Sequence, residues 1–260
     1  MKLIDYIPFS TAIQKLDIKK GDILLVSSDI LNLLINLKYH ERIIDPNFII
    51  DNLQEVVGSE GTLLFPTYNW DFCRGLAFDY HKTPSMTGSL SSVALNRKDF
   101  KRTKHPIYSF AVWGKYQDLL YSMDNTDSFG TNSPFDFLYK LHGKNLIIDV
   151  DYQNCFTFIH YVEECTGVIY RYIKSFSAVY IDENSKSEER QFSMYVRKLE
   201  LETDNNSNPI GEVLEDMGIA IKKIINSIPF VVVDLYRAFD VIKDDIINNS
   251  AKKIAVYKGQ

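Results

Sequence analysis

This 260-residue sequence is poor in cysteine, in net positive charge and in long apolar runs. Its three cysteines, Cys73, Cys155 and Cys165, follow no C-x-x-C spacing, so we expect free thiols in a reducing compartment. The formal net charge of −5 argues against a nucleic-acid partner. No apolar run reaches the ~20 residues that cross a bilayer. The N-terminal segment, with Asp5, does not follow a secretory pattern. The sequence therefore predicts a cytoplasmic protein without a membrane span.

Several signatures of phosphate binding, catalysis and metal binding are also absent. Neither G-x-G-x-x-G nor a Walker sequence occurs, so any nucleotide must be held without a glycine-rich loop. No G-x-S-x-G elbow supports a hydrolase with a serine nucleophile. The histidines lack the two-histidine spacing of a zinc-protease helix, so we expect no metal.

Buried strand patterns alternate with helix patterns through the first two thirds of the chain. Strands are predicted at 22–28, 61–67, 108–114 and 145–150, with helices between them. The last third adds an antiparallel strand pair, a helix at 211–227, the strand "FVVVDLY" and a closing helix. This order predicts an α/β sandwich over residues 1–260, whose sheet is mostly parallel at first.

Polar groups follow three of the predicted strands. They are Ser27 with Ser28, Thr67 with Tyr68, and the loop before His160. In open α/β sheets, ligands bind beyond the carboxyl ends of the strands. The pattern therefore favours a site at that edge of the sheet.

The stretch "NCFTFIHYVEECTG" (154–167) holds the strongest candidate for acid–base chemistry. On a helix, His160 and Glu163 share a face, and Glu164 lies near it. A carboxylate beside an imidazole stabilises the imidazolium that a general base forms. Thr157, one turn earlier, presents a hydroxyl on that face. A surface helix with an ordinary His–Glu contact is an equally open alternative. Cys155 and Cys165 are expected off this face, as small buried residues.

Two further stretches suit ligand binding. Lys101, Arg102 and Lys104 form a basic run that suits phosphates, although a solvated loop explains it as well. The cluster after the second strand suits a sugar ring, because aromatic faces stack on sugars while amides and carboxylates bind hydroxyls. The alternative is a strand cap with Trp70 in the core. This cluster comprises Tyr68, Asn69, Trp70 and Asp71.

Taken together, these segments resemble the aminoglycoside 3-N-acetyltransferase family. "KGDILLVSSDI" is similar to G-D-x-x-x-V-H-S-S-L, and "GTLLFPTYNWDF" to G-T-L-x-x-P-T-x-x-W-D. "TGSLSSVALNRKDFKRTKHPIYSFAVWGK" is similar to G-x-L-x-E-x-x-R…R-S-x-H-P-x-x-S-x-A-x-G, and "TFIHYVEE" to T-x-x-H-x-x-E. The stretch "YRYIKSF" and the helix pattern "GIAIKKIINS" also have counterparts. The matches keep their order over most of the chain.

The resemblance implies acetyl-CoA-dependent acyl transfer to a primary amine of a sugar. It also implies a single three-layer α/β/α domain, distinct from the commoner GNAT acetyltransferase fold. His160 takes the place of the general base and Glu163 that of its carboxylate. The family's coenzyme site corresponds to Ser27, Ser28, Arg102, His105 and Ser109.

Departures from the family pattern concern the acceptor and coenzyme surroundings. Val26 stands for a histidine, Thr103 for a serine, and Asn154 for an acidic residue of some resistance enzymes. With the modest net charge, Asn154 favours a nucleotide- or carrier-linked amino sugar for surface polysaccharide synthesis. The alternatives are an aminoglycoside 3-N-acetyltransferase that confers antibiotic resistance and a non-catalytic CoA- or sugar-binding protein. Thr157 or a backbone N–H is the expected oxyanion donor, and a homo-oligomer is compatible with the sequence.

Overall fold

The computed structural model describes residues 6–257 of the chain. Both ends of the predicted 1–260 domain, including Asp5, lie outside this range, so the single-domain organisation stays a prediction. No helix within residues 6–257 has the length and apolar character needed to cross a bilayer.

Strands of the described region belong to one large sheet and two small ones. In chain order they are β1 (Ile23–Ser28), β2 (Thr62–Pro66), β3 (Phe78–Asp79), β4 (Lys101–Arg102), β5 (Phe110–Gly114), β6 (Lys144–Ile148), β7 (Arg171–Ile181), β8 (Ser187–Arg197), β9 (Thr203–Asn205), β10 (Ala220–Ile225), β11 (Ile228–Asp234) and β12 (Ala255–Tyr257).

Helices pack on both sides of the large sheet. In chain order they are α1 (Phe9–Gln14), α2 (Leu31–Glu41), α3 (Asn47–Val57), α4 (Ser89–Leu95), α5 (Gln117–Ser122), α6 (Pro134–Lys140), α7 (Tyr152–Cys155), α8 (Phe158–Thr166), α9 (Asn208–Asp216) and α10 (Leu235–Asn248).

The large sheet has seven strands in the order β10-β11-β6-β1-β2-β5-β4. Its centre, β6-β1-β2, is parallel, as expected for strands joined by helical crossovers. The third predicted strand, β5, instead runs antiparallel to β2, and β11 runs antiparallel to β6. The parallel part is therefore limited to three strands.

Alternating side chains of the central strands enter two separate apolar cores. Leu24 and Val26 of β1 belong to the core that contains α1 to α4. Ile23 and Leu25 belong to the core that contains α6, α8 and α10. This period of two is what a strand buried on both faces requires. The predicted three-layer α/β/α sandwich is confirmed.

The predicted helix at 211–227 is wrong in its second half. Helix α9 ends at Asp216, and Gly218 has a φ of +62°, which a continuing helix does not allow. The following segment forms β10, which pairs antiparallel with β11 along its whole length. Its apolar residues fit a helix period as well as an edge strand, so pairing with β11 decided its conformation.

The antiparallel pair of the last third is longer than predicted. Strands β7 and β8 span eleven residues each and pair in full register, with β3 added in parallel at one edge. The polar segment 201–209 that follows this pair contains β9, which pairs with β12.

Candidate functional site

A cavity of about 400 Å³ opens beyond the carboxyl ends of β1, β2 and β6. These are the three neighbouring parallel strands, so their ends meet at one edge of the sheet, as the sequence predicted. The walls come from six segments of the chain, comprising Val26, Ser27, Ser28, Pro66, Tyr68, Trp70, Met86, Thr87, Gly88, Ser91, Tyr108, Val150, Asn154, Cys155, Thr157 and His160.

The segment that contains His160 is a broken helix rather than a continuous one. Helix α7 ends at Cys155, Phe156 has φ −85° and ψ 59°, and α8 begins after Thr157. The break turns Asn154 and Cys155 toward the cavity that His160 also lines. The expectation that Cys155 lies away from His160 is therefore wrong, because it assumed one unbroken helix. Cys165 is exposed rather than buried, and all three cysteines are free thiols.

His160 and Glu163 form the contact expected from their spacing. The His160 Nδ1 atom lies 2.7 Å from Glu163 Oε2, and the Glu163 side chain is 1% exposed. Since Glu163 is a carboxylate, Nδ1 carries the ring proton and donates the hydrogen bond. This leaves Nε2 as the basic nitrogen. Nε2 has no hydrogen-bond partner among residues 6–257. The ring also meets Phe129 edge-on at a centroid distance of 5.5 Å.

Two residues beyond the helix hold the Glu163 carboxylate. The Tyr170 hydroxyl donates a hydrogen bond to Oε1 at 2.9 Å, and Arg171 Nε lies 2.7 Å from Oε2. Gly167 ends α8 in a left-handed conformation, which returns the chain beside the helix it has just left. The roles of Tyr170 and Arg171 were not evident in the sequence, because helical spacing shows contacts within a helix and none across its end.

The electrostatics of this cluster favour a neutral imidazole beside an ionised carboxylate. Burial lowers the pKa of His160, and the charge of Arg171 lowers it further, against the opposing effect of Glu163. Burial by itself raises the pKa of Glu163. The hydrogen bond from His160, together with the charge of Arg171 and the hydrogen bond from Tyr170, outweighs burial and lowers that pKa. The pair is thus poised to accept one proton at His160.

Glu164, although adjacent, is in a different environment. Burial and the neighbouring Asp127 carboxylate raise the pKa of Glu164 to about 8. Their two side chains flank Gly130, where an added Cβ would lie 3.1 Å from Asp127 Oδ2 and 3.2 Å from Glu164 Oε1. Glu164 is therefore protonated around neutral pH and is no substitute for Glu163.

The aromatic cluster after β2 divides into cavity walls and structural residues. Tyr68 and Trp70 line the cavity. Asn69 is buried, donates to the Pro84 carbonyl and accepts from the Asp71 backbone N–H, so it shapes the loop. Asp71 begins a short 3-10 helix and pairs with Arg74. The structure does not place Asn69 or Asp71 among the cavity-lining residues.

Of the residues expected at a coenzyme site, some line the cavity and the others are buried behind it. Ser27 and Ser28 line the cavity, together with Thr87, Gly88 and Ser91, which sequence analysis did not single out. Arg102, His105 and Ser109 are buried and have partners within the protein. Their side chains therefore offer little surface to a ligand of this cavity.

These three buried residues stabilise the wall behind the cavity. Arg102 donates to the Thr83 and Thr67 carbonyls and to Ser109 Oγ. His105 Nδ1 accepts the Ile107 and Tyr108 backbone N–H groups, and burial lowers the pKa of His105 to about 3. The family-like motif that contains these three residues is therefore explained by the hydrogen bonds that fold this loop.

The cations of the basic run are paired or buried, and Lys101 and Arg102 also border a surface pocket of about 470 Å³. Lys101 pairs with Asp118, Lys104 pairs with Glu183, and Arg102 is buried between them. Within residues 6–257, no group of three or more His, Cys, Asp or Glu side chains is placed to hold a metal ion.

An adjoining cavity, of about 410 Å³, shares the wall residue Val150 with the cavity that contains His160. Its walls are acidic, with Asp149, Asp151, Glu212 and Glu215, and one lysine, Lys222, pairs with Glu215. Asp151 also accepts the Asn154 side-chain amide at 2.6 Å, which links the two cavities. The cavity with His160 is thus neutral, and its neighbour is negatively charged.

Comparison with known sequences identifies one family and one curated relative. The family model for aminoglycoside 3-N-acetyltransferase matches residues 39–246. The SPbeta prophage-derived aminoglycoside N(3')-acetyltransferase-like protein YokD of Bacillus subtilis (strain 168) is 28% identical over 138 residues. This match covers 44% of the chain and 51% of YokD, so it spans about half the length of that relative.

Solved structures share the fold over nearly the whole chain. The crystal structure of YokD from Bacillus subtilis gives a TM-score of 0.73 at 22% identity, covering 92% of this chain and 98% of YokD. AAC-IIIb in a binary complex with CoASH gives 0.75 at 16% identity, covering 92% and 95%. AAC-VIa bound to sisomicin gives 0.76 at 16% identity, covering 92% and 96%. At these identities the likeness concerns the fold.

Proposed function

This chain belongs to the aminoglycoside 3-N-acetyltransferase family, and on that premise we propose that it transfers the acetyl group of acetyl-CoA to a primary amine of an aminoglycoside-type amino sugar. One observation carries the proposal: a neutral histidine, held by a buried carboxylate, lines the cavity beyond the parallel strand ends. That arrangement suits deprotonation of an amine during its attack on a thioester.

The proposed reaction is direct transfer within a ternary complex. The amine nitrogen attacks the thioester carbonyl carbon, and His160 Nε2 takes the proton that the nitrogen loses as the N–C bond forms. The carbonyl oxygen becomes an oxyanion, which collapses and expels CoA thiolate as the C–S bond breaks. The thiolate then takes a proton from the imidazolium, and this restores neutral His160. Glu163 orients the ring and stabilises its charged form.

The cavity walls suit the acyl-bearing arm of the coenzyme, which a relative of this fold, AAC-IIIb, binds as CoASH. Ser27, Ser28 and Ser91 supply hydroxyls, and Val26 and Val150 supply apolar surface. Gly88 has a φ of +91°, a conformation open to glycine and costly for a side chain. Thioester arms carry alternating amide and methylene groups, so a wall of mixed polarity matches them.

The adjoining acidic cavity supports a polyamine acceptor. An aminoglycoside carries several ammonium groups, and four carboxylates beside the cavity with His160 offer them opposite charge. A relative of this fold, AAC-VIa, binds the aminoglycoside sisomicin. The comparisons favour this acceptor class over the nucleotide- or carrier-linked sugar that the sequence favoured, for which they offer no support. Asn154 weighed against a polycation in the sequence, but its amide binds one of the acidic residues, Asp151.

A thiol-release assay tests the proposal. Acetyl-CoA is offered with sisomicin and other aminoglycosides, and separately with nucleoside-diphosphate amino sugars, and free CoA is measured. We expect turnover with at least one aminoglycoside. Turnover with nucleotide-linked sugars alone would redirect the proposal to polysaccharide precursors. Failure of acetyl-CoA to bind in calorimetry would favour a non-catalytic protein.

His160→Ala tests the general base. We expect kcat to fall by at least ~10²-fold, the usual contribution of acid–base help, while acetyl-CoA binding is retained. His40→Ala is the matched control, since His40 is an exposed histidine of α2 outside the cavity. Unchanged turnover in His160→Ala contradicts the assignment.

A further inference from the structure

Tyr68 carries a buried hydroxyl that the protein leaves unsatisfied. The side chain is 4% exposed, and its hydroxyl has no hydrogen-bond partner among residues 6–257. Buried polar groups are nearly always paired, because an unpaired one costs stability. Since Tyr68 also lines the cavity with His160, the missing partner is expected to be a ligand atom.

The ring that carries this hydroxyl is held rigidly. Tyr68 follows β2 by two residues, and its carbonyl accepts the Met86 N–H at 2.8 Å. Three aromatic rings pack edge-on against it: Tyr108 at 4.6 Å, Phe110 at 5.4 Å and Trp70 at 6.4 Å between centroids. A donor fixed in this way needs no reorganisation when charge develops near it, which is what makes such donors effective in catalysis.

The environment keeps the Tyr68 hydroxyl protonated. Burial raises its pKa well above the usual value and Tyr108 adds to this effect, while the Thr157 hydroxyl, which is near it but outside hydrogen-bonding geometry, opposes it in part. A free thiol titrates near about 8.5, below even an ordinary tyrosine. Tyr68 therefore holds its proton in the presence of CoA thiolate and acts as a hydrogen-bond donor rather than as an acid.

Resting on the proposed acetyl transfer, we infer that Tyr68 is a catalytic residue whose hydroxyl donates a hydrogen bond to the thioester carbonyl oxygen. As the amine nitrogen bonds to the carbonyl carbon, the C=O π pair moves to that oxygen, and the bond from Tyr68 strengthens. The proton stays on Tyr68 throughout. When the oxyanion collapses and the C–S bond breaks, the hydrogen bond returns to its ground-state strength. Thr157, which lines the same cavity, is the second candidate donor.

Tyr68→Phe removes this hydroxyl and little else. We expect kcat to fall by ~10²–10³-fold, as for other lost oxyanion donors, with KM for acetyl-CoA changed by less than about threefold. The melting temperature should not fall, because the substitution breaks no hydrogen bond within the protein. The kinetics use whichever acceptor of the thiol-release panel gives turnover. A rise in KM for the amine with kcat unchanged overturns the inference and leaves Tyr68 a sugar contact.

Tyr180→Phe is the matched control. Its hydroxyl is also buried but is satisfied, since it donates to the Lys104 carbonyl at 2.8 Å, and Tyr180 lies outside the lining of the cavity. We expect a lower melting temperature and unchanged kcat, which is the reverse of the Tyr68→Phe pattern. A fall in kcat of equal size in both variants overturns the inference, since it would indicate a general effect of hydroxyl loss.

Infrared difference spectroscopy of bound [1-¹³C]acetyl-CoA tests the hydrogen bond without turnover. In the wild-type protein, we expect the thioester C=O stretch to shift to lower frequency than in solution, and in Tyr68→Phe to return toward the solution value. An identical stretch in both proteins overturns the inference while the proposed function stands. If wild-type protein shows no bound thioester at all, the proposed function fails, and the inference fails with it.

Discussion

Replacing Glu163 by glutamine tests how the site stabilises a charged histidine. The carboxylate accepts one hydrogen bond from His160 and one from Tyr170, and it is the counter-charge of Arg171. A glutamine side chain keeps one acceptor oxygen and places an amide N–H₂ where the other stood. At least one of the three contacts must therefore be lost or, at the Tyr170 hydroxyl, reversed so that tyrosine accepts from the amide.

The kinetic effect follows from the imidazolium that His160 becomes during the reaction. With a neutral glutamine at position 163, the imidazolium is still repelled by Arg171 but no longer has a negative charge beside it. We expect kcat to fall by ~10²–10⁴-fold, the range for acid–base help, or ~3–5 kcal/mol of barrier. The pKa of His160 should fall further as well, because Glu163 is the group that raises it.

The stability effect is separable from the kinetic one. Breaking a buried ion pair from one side costs ~3–5 kcal/mol, because the remaining charge stays buried. Arg171 is 5% exposed but keeps bonds to the Tyr195 carbonyl and to Asn205 Oδ1, so we expect the lower end of that range. Since domains of this kind are stable by ~5–15 kcal/mol, most of the protein should stay folded for the assay.

The assay is thiol release with acetyl-CoA and the acceptor both saturating, together with urea unfolding of each variant. Glu164→Gln is the matched control, one residue along α8, and we expect its kcat to stay within about threefold of wild type. A Glu163→Gln protein that is folded and turns over within about threefold of wild type would refute this reasoning.

Two pH experiments follow from the same cluster. Burial and Arg171 lower the pKa of His160. The apparent pKa of the acid limb of the kcat/KM profile should therefore lie below about 6.5, the ordinary value for histidine. An apparent pKa at or above that value contradicts the base assignment. Burial and Asp127 raise the pKa of Glu164 to about 8, so the folded state holds a proton that the unfolded chain releases. The contribution of Glu164 to stability should therefore fall as the pH rises from about 5 to 8, while the lowered pKa of His105 acts in the opposite direction below about 6.5. Over that range the unfolding free energy of wild type should fall relative to that of Glu164→Gln, and an identical pH dependence in the two proteins contradicts the raised pKa of Glu164.

Local pattern was sufficient for the elements that build the sandwich. The buried strands β1, β2 and β6 have short, bounded apolar runs, and their faces alternate as a strand between two layers requires. The spacing of His160 and Glu163 likewise predicted a contact that one helical turn imposes. The segment 218–227 was predicted wrongly, because its apolar residues satisfy two periods and only β11 selects between them.

The site was less predictable where it depends on segments distant in sequence. Arg102 and His105 stood out as polar groups in a motif, yet burial and their own hydrogen bonds remove them from the cavity surface. Tyr170 and Arg171 belong to a stretch with a family counterpart but had no assigned role, and the turn at Gly167 brings both to Glu163. Polar side chains look alike in sequence whether they face ligand or protein, and only packing separates the two cases.

The sequence by itself determined the buried strands β1, β2 and β6, the family and the His160–Glu163 pair, because each depends on neighbours within a few turns or on motifs kept in order. The tertiary structure decided which hydroxyls and charges are free to act. It closed Arg102 and Ser109 into the wall, and it left the Tyr68 hydroxyl without a partner beside His160. The physical reason is that burial sets both the pKa of a group and the need for a hydrogen-bond partner, and burial is a property of the folded chain.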